Sequence, residues 1–327
     1  MNYQTYFKRF AGILLSLAAL TSLSHAADVF PSKPLKIIVT AAPGGTTDIA
    51  SRALADQLGR ELGQSVLVEN KAGAAGIIAL QALIASPADG YTMAMGNIGT
   101  NAINYALYKS LPYKSEDMRA ISIVLATPNV MVVNSAFPAK TVAEFVALAK
   151  ANPGKYSFAS SGRGQSIHMS GELFKEMAGV QIRHIPYKGR AQSLPDLVSG
   201  RISMLFDNLS SSLPLIKAGE VQALGVTTLK RSHAAPEIPT LAEQGLPGFE
   251  AVSWFSLMAP ANLSPTIQDR LNQLTIRTLS HPEVKSRLLA GGLDPAPGSP
   301  KELSKLIAQE SAKWSRVVQQ SGAKLDQ

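Results

Sequence analysis

Two short loops hold the residues best suited to chemistry. The first is Pro43-Gly44-Gly45-Thr46-Thr47, set between an apolar run at Leu35–Thr40 and a helical pattern that reaches Leu62. A loop that opens a helix presents amides without intrahelical acceptors at the positive end of the helix dipole. Such a helix start takes up anions. Paired glycines let a ligand approach the main chain without meeting a Cβ. The hydroxyls of Thr46 and Thr47 add donors, and either threonine can equally serve as the helix N-cap. Asp48 precedes Arg52 by four residues, the spacing of an intrahelical ion pair, and is assigned that role rather than ligand contact. The loop has no general base, nucleophile or metal-ligand set, so it is read as holding an anion without transforming it.

The second loop is Ser160-Ser161-Gly162-Arg163-Gly164-Gln165-Ser166, which follows a strand-like run at 156–159. It offers neutral donors and one guanidinium. Arg163 can pair bidentately with a carboxylate or point to solvent. Thr100 and Asn101 open a third helix, either as ligand donors or as caps. Asp207 and Asn208 end a further strand, where Asp207 can accept a hydrogen bond from a solute or fix a loop. His168 and His184 are given structural roles, Lys188 a solvated charge, and Trp254 and Phe255 core positions.

Enzyme signatures are missing from the sequence. Gly164-Gln165-Ser166-Ile167-His168 lacks the second glycine of a nucleophile elbow. Gly162-x-Gly164 lacks the third glycine of a dinucleotide fingerprint. The histidines and carboxylates do not fall at metal-ligand spacings, and no phosphate-loop lysine is present. A secreted hydrolase remains the competing class, and loss of turnover in Ser166→Ala would identify it. The 327 residues include no cysteine, which excludes disulfides and thiolate metal sites. The net charge of +8 comes from scattered lysines and arginines without interleaved aromatics, unlike a nucleic-acid platform. It is either a mild bias toward anionic solutes or a solvated surface.

Lys8 and Arg9, the apolar stretch 11–20 and Ser24-His25-Ala26 have the form of a secretory signal peptide, cleaved near Ala26. A disulfide-free exported chain suits a bacterial periplasm. Beyond it, the apolar strand runs at 35–40, 65–69 and 91–95 are each followed by a small-residue loop and a helical pattern. That alternation predicts a parallel sheet with crossover helices, and ligands in such sheets collect at the carboxyl ends of the strands. A strand over 121–134, a capped helix over 141–151, helices at 167–178, 266–280 and 300–321, and strands at 156–159, 184–187, 202–206, 223–227 and 254–259 complete the reading.

Five motifs occur in order: Pro43-Gly44-Gly45-x-x-Asp48, Glu69-Asn70-Lys71-x-Gly73-Ala74-x-Gly76, Asp89-Gly90-Tyr91-Thr92, Pro186-Tyr187-Lys188-Gly189 and Pro239-Thr240-Leu241-x-Glu243-x-Gly245. Together they resemble the extracytoplasmic solute-binding receptors of tripartite tricarboxylate transporters, the Bordetella-uptake-gene family, from about Pro31 to the C-terminus. The resemblance implies an α/β periplasmic-binding-protein fold, with two lobes joined by a hinge and a ligand cleft between them. Residues 27–128 plus 253–327 would form lobe 1 and residues 129–252 lobe 2. The chain would cross near 125–132 and return near 248–256. It also implies a carboxylate held at residues 42–47 by backbone and hydroxyl groups, partly through waters. The expected contacts are Pro43, Gly44, Gly45, Thr46, Thr47 and Thr100, with Ser160, Ser161, Gly162, Arg163, Gln165, Ser166 and Asp207 opposite. The solute would be a di- or tricarboxylate, aliphatic or aromatic, delivered by a monomeric receptor to a two-component permease. No enzyme activity, cofactor or metal is expected. A receptor feeding a sensor needs the same hinged device and stays open as an alternative.

Overall fold

The first βα unit sets the pattern for the fold. In β1 (Leu35–Val39), Leu35, Ile37, Ile38 and Val39 are all buried. A continuous apolar run of this kind suits a strand covered on both faces. It feeds α1 (Thr46–Leu62), and β2 (Val66–Asn70), α2 (Ile77–Ile84) and β3 (Thr92–Asn97) follow. β1 pairs in parallel with β2 and β3, as the strand–loop–helix alternation requires. The computed structural model describes residues 30–160, 162–187 and 190–323, so the expected signal peptide lies outside the described residues.

After β3 a single wide turn at 99–103 leads into the short α3 (Asn104–Leu107). The chain then enters β4 (Met118–Asn134), the longest strand. Its first part, Met118 to Pro128, pairs antiparallel with β9 (Val252–Pro260), which also lies antiparallel to β3. From Asn129 onward β4 changes neighbours and pairs with β7 (Met204–Asn208) and β8 (Val221–Val226). The path β2-β1-β3-β9-β4-β7-β5-β6 therefore runs through one shared strand. Here β5 (Ser157–Ser160) and β6 (Arg183–Pro186) are parallel, as are β5 and β7. The parallel expectation thus holds for the βα units, while β4 and β9 make the sheet mixed.

The helices of the second half are α4 (Val142–Ala151), α5 (Ser166–Ala178), α6 (Arg190–Val198) and α7 (Leu209–Lys217). The C-terminal part carries α8 (Pro265–Ser280), α9 (Pro282–Ala290), the two-residue β10 (Asp294–Pro295) and α10 (Pro300–Ser321). Two of these helices contrast in how strongly the sequence signals them. α7 opens on Leu209, followed by three serines of middling helix propensity, and contains the helix-breaking Pro214. It stands because Leu209 and Leu213 anchor it to the core beside β7. α10 announces itself with a capping box, in which the Glu302 amide donates to Ser299 Oγ and the Ser299 amide to Glu302 Oε2. Its Leu303, Trp314, Val317 and Val318 enter the main core with Phe145, Phe174 and Phe206. Among the described residues no helix is long and apolar enough to cross a membrane.

Candidate ligand-binding site

The carboxyl ends of β1, β3, β5 and β7 and the opening of β9 bring the expected loops together. α1 starts at Gly45, whose extended backbone (φ −82°, ψ 167°) makes it the N-cap, and no side chain caps the helix. Thr46 and Thr47 are therefore the first helical residues and not caps. α5 starts the same way on Gln165 (φ −85°, ψ 160°), again without a side-chain cap. Two helix N-termini thus keep their anion-attracting ends free of side-chain caps.

A chain of neutral polar groups joins them. Asn208 Nδ2 donates to Thr46 Oγ1 at 3.0 Å. Ser253 Oγ lies 3.0 Å from Asn208 Oδ1, 3.0 Å from Asn129 Oδ1 and 2.6 Å from Ser166 Oγ. Asn129 Nδ2 donates to Ser170 Oγ at 2.9 Å. Thr46 Oγ1 also stands 3.4 Å from Ser210 Oγ. The first residue of α1 and the first residue of α5 therefore sit at opposite ends of one network, with Asn208 and Ser253 between them.

The first loop is braced from below. Asp48 Oδ2 accepts from the Gly44 amide at 2.9 Å and from Arg52 Nε at 3.1 Å, and Asp48 Oδ1 accepts from Asn70 Nδ2 at 3.0 Å. The same Asn70 amide group donates to the Ala41 carbonyl. Burial by itself would raise the Asp48 pKa, but the hydrogen bonds from Arg52, Gly44 and Asn70 outweigh it and hold the carboxyl below its ordinary value. One expectation changes here. The Gly44 amide is taken by Asp48, so Gly44 serves the site by its left-handed φ of 80° and its missing side chain. Pro43 and Gly44 are exposed, Gly45 is half-buried, and Thr46 and Thr47 are buried.

Thr100 is a correction. Its side chain is fully buried, its hydroxyl donates to the Asn97 carbonyl, and its amide donates to Asn97 Oδ1. Tyr113 Oη donates to the Thr100 carbonyl at 2.6 Å. Thr100 therefore closes the third loop and offers no free hydroxyl. Gly76 permits this packing, since a Cβ there would meet Thr100 Cγ2 at 2.4 Å.

Asp207 is also committed within the protein. Arg190 Nε donates to its Oδ2 at 2.7 Å, as does Ser212 Oγ at 2.7 Å, and Arg190 also reaches the Ser211 carbonyl. Of its two anticipated roles, fixing a loop is the one the geometry supports. In the second loop Ser160 is buried, Gln165 is half-buried and Ser166 is buried against Ser253. Ser161 lies outside the described residues. Gly162 (φ 132°) and Gly164 (φ 79°) bracket Arg163, whose side chain is exposed. The loop reaches the third loop, because a Cβ on Gly99 would meet Gln165 Oε1 and the Gly164 carbonyl at 3.2 Å each.

Sequence reasoning missed Asn129, Ser210 and Ser253 and undervalued Asn208. Asn129 carried a usable signal, as a polar residue heading the apolar run Val130–Val133 must find partners when buried.

His168, Glu172 and His184 bring possible metal-ligand atoms within 4.8 Å of one another. The hydrogen bonds use them otherwise. His168 Nδ1 accepts from the Gly164 amide at 3.2 Å, which puts its proton on Nε2, facing Glu172 Oε1 at 3.8 Å. Glu172 Oε2 is ion-paired to Lys175 Nζ at 2.7 Å. A metal would need the Nε2 lone pair that this arrangement has protonated, so the group does not fit a metal.

Residues 50–323 match the family described as the tripartite tricarboxylate transporter family receptor. The chain belongs to that family. The receptor is 36% identical over 316 residues to Protein BugT of Bordetella pertussis, covering 96% of this chain and 97% of BugT. It superposes on the structure of Rpa4515 with adipate from R. palustris with a TM-score of 0.85 and 35% identity, covering 90% of this chain and 98% of that one. The periplasmic binding protein BugD gives a TM-score of 0.82 at 30% identity, covering 90% and 99%. The fold is thus the mixed α/β periplasmic-binding-protein fold, and the receptor is a solute-binding protein rather than an enzyme. Several of the five motifs that carry the resemblance fix loops in this structure. Asp48 and Asn70 brace the first loop, the Tyr91 amide donates to Asp89, and Thr240 and Glu243 cap each other reciprocally.

Proposed function

We propose that the receptor captures a small dicarboxylate between two hinged lobes in the periplasm and hands it to the membrane subunits of a tripartite transporter. Lobe 1 is residues 27–128 plus 253–327 and lobe 2 is residues 129–252, in a protein exported by a signal peptide cleaved near Ala26 and working as a monomer. The change of β4 neighbours between Pro128 and Asn129 supports this division. The observation that carries the reading is the pair of uncapped helix starts, at Gly45–Thr46 and Gln165–Ser166, joined through Asn208 and Ser253. One carboxylate docks at residues 43–47, on the amides and hydroxyls of the first turn. A second carboxylate faces residues 160–166, where Arg163 supplies the cation. The adipate of the R. palustris relative, with a carboxylate at each end, matches this two-ended arrangement.

Binding that bridges both lobes favours the closed form by its differential contacts. A thermal-shift series of the mature protein with mono-, di-, tri- and aromatic carboxylates tests the reading. A ligand at a hundredfold excess over its Kd stabilises the folded form by about 2.7 kcal/mol, a rise of several degrees in Tm. Dicarboxylates should give the largest shifts, and Arg163→Ala should weaken them while sparing monocarboxylates. No shift with any carboxylate, but one with a sugar or a cation, would sink the proposal.

A further inference from the structure

The two histidines beside the second loop have no part in the function as described so far. They come from different elements, His168 from α5 and His184 from β6, and their rings lie against each other with centroids 4.1 Å apart and planes tilted by 31°. Phe158 of β5 lies over His184 at 4.8 Å. Each ring fastens one end of the second loop. His184 Nε2 is 2.7 Å from Ser160 Oγ, and that hydroxyl donates to the Gly162 carbonyl at 3.1 Å, which makes His184 Nε2–H the donor to Ser160. His168 Nδ1 accepts from the Gly164 amide at 3.2 Å. Among the described residues of the loop, Gly162 and the anchored Gly164 both have positive φ, and the exposed Arg163 lies between them. A segment with such backbone freedom does not fix its own shape.

We propose that His168 and His184, as a neutral pair in ring-to-ring contact, are the positioning residues that hold the second loop and Arg163 in the geometry that binds solute. This role rests on the carboxylate-binding reading above. It requires both rings to be neutral. A proton on His168 Nδ1 would face the Gly164 N–H donor to donor, and two cationic rings at this separation would repel. Among the described residues, the charged groups around the pair are Arg163 on the loop and Lys175 and Glu172 on α5. The two cations oppose protonation, and Glu172 is largely satisfied by Lys175. Burial, followed by the neighbouring His184, Arg163 and Lys175, brings the His168 pKa down to about 3. Burial, then Arg163 and Lys175, brings His184 down to about 4.

The sign of the pH effect follows from those directions. A ring released from the loop regains an ordinary pKa of about 6.5 and takes up a proton more readily than a held ring. The held loop therefore keeps its full advantage above about pH 6.5 and loses it as the pH falls toward the depressed values. At pH 5 each fully released ring would disfavour the held form by about 30-fold.

The test is calorimetric titration of the full mature protein with adipate at pH 7.5 and pH 5, together with ring-nitrogen NMR of the ligand-free protein. The NMR should show both rings neutral with the proton on Nε2. His168→Phe and His184→Phe, checked for folding by circular dichroism, should weaken adipate binding tenfold or more at pH 7.5. His168→Asn keeps an acceptor for the Gly164 amide, and His184→Gln keeps a donor to Ser160. Each should restore most of the lost affinity and flatten the acid limb of its profile. Folded phenylalanine variants that bind adipate like the native protein at both pH values overturn the inference and leave the proposed function standing. Native protein that ignores adipate and every other carboxylate overturns both. Rings found protonated, or carrying the proton on Nδ1, overturn the inference whatever binds.

Discussion

Asn208 Nδ2 donates to Thr46 Oγ1 at 3.0 Å, so the end of β7 holds the start of α1 across 162 residues of chain. The bond joins a residue of proposed lobe 2 to the helix start of proposed lobe 1. Asn208→Ala removes it and leaves Ser253 without one of its acceptors. A neutral hydrogen bond contributes about 1 kcal/mol. Adipate affinity measured by calorimetry should therefore fall by roughly five- to tenfold, with dissociation faster and association little changed. Unaltered dissociation would remove Asn208 from the closing contacts.

Gly45 has ordinary extended dihedrals, and a Cβ there would find only the Ala42 carbonyl at 3.6 Å. Gly45→Val should leave the fold intact while walling off the first turn of α1. We expect adipate binding to weaken by at least tenfold, with the ligand-free Tm unchanged within about 3 °C. Gly44 is a poorer position for this test, because its φ of 80° strains any β-branched residue. Full affinity in Gly45→Val would displace the carboxylate from this loop.

Asp48 braces the same loop through Gly44, Arg52 and Asn70. Asp48→Ala should lower stability at pH 7 by about 2 kcal/mol, since it strands partly buried donors. Its carboxyl is held below the ordinary value in the fold. Its contribution is thus complete above about pH 4, the unfolded value, and is lost as the pH falls through the lower folded value. Urea melts should show a constant gap between native and variant protein from pH 5 to 8, closing below pH 4. A gap that widened in acid would contradict the ionised brace.

Gly171 lies in α5 with no room for a side chain. A Cβ there would meet the Phe158 ring at 2.1 Å, and Phe158 in turn stacks on His184. Gly171→Ala should destabilise by about 2 kcal/mol through overpacking, despite alanine's better helix propensity. Adipate affinity should fall as well, because the displaced ring lies under the second loop. A variant more stable than the native protein would mean that β5 yields freely at this point.

Much of this architecture is legible in the residues. The apolar run of β1, the Gly44-Gly45 turn and the periodicity of α1 each point to the same strand–loop–helix unit. Ser299 and Glu302 mark the start of α10 to the residue. Legibility fades where tertiary contacts override local preference. α7 forms despite its serines and Pro214 because Leu209 and Leu213 have a core to enter. The site shows the same division. The loop positions stand out by their glycines and hydroxyls, yet Thr100 turns inward to close its own loop and Asp207 to meet Arg190. Ser253, at the middle of the polar network, is a lone serine between Val252 and Trp254. Its importance arises only when β9 returns beside Asn129.

The strand β4 has a consequence for how such proteins can diverge. From Val130 to Val133 its side chains alternate between two cores, and the strand is continuous through both parts of the sheet. Inserting or deleting one residue just before Asn129 and this stretch, unless a bulge absorbed it, would turn these side chains to the opposite face. Met131 and Val133 would leave the core shared with Phe206, and Asn129 would leave Ser253. Length changes in the part of β4 that serves both cores are therefore costlier than point substitutions, while the loops at 42–47 and 160–166 are free of that restriction. New solute preferences can therefore arise by altering loop length and composition on an unchanged frame.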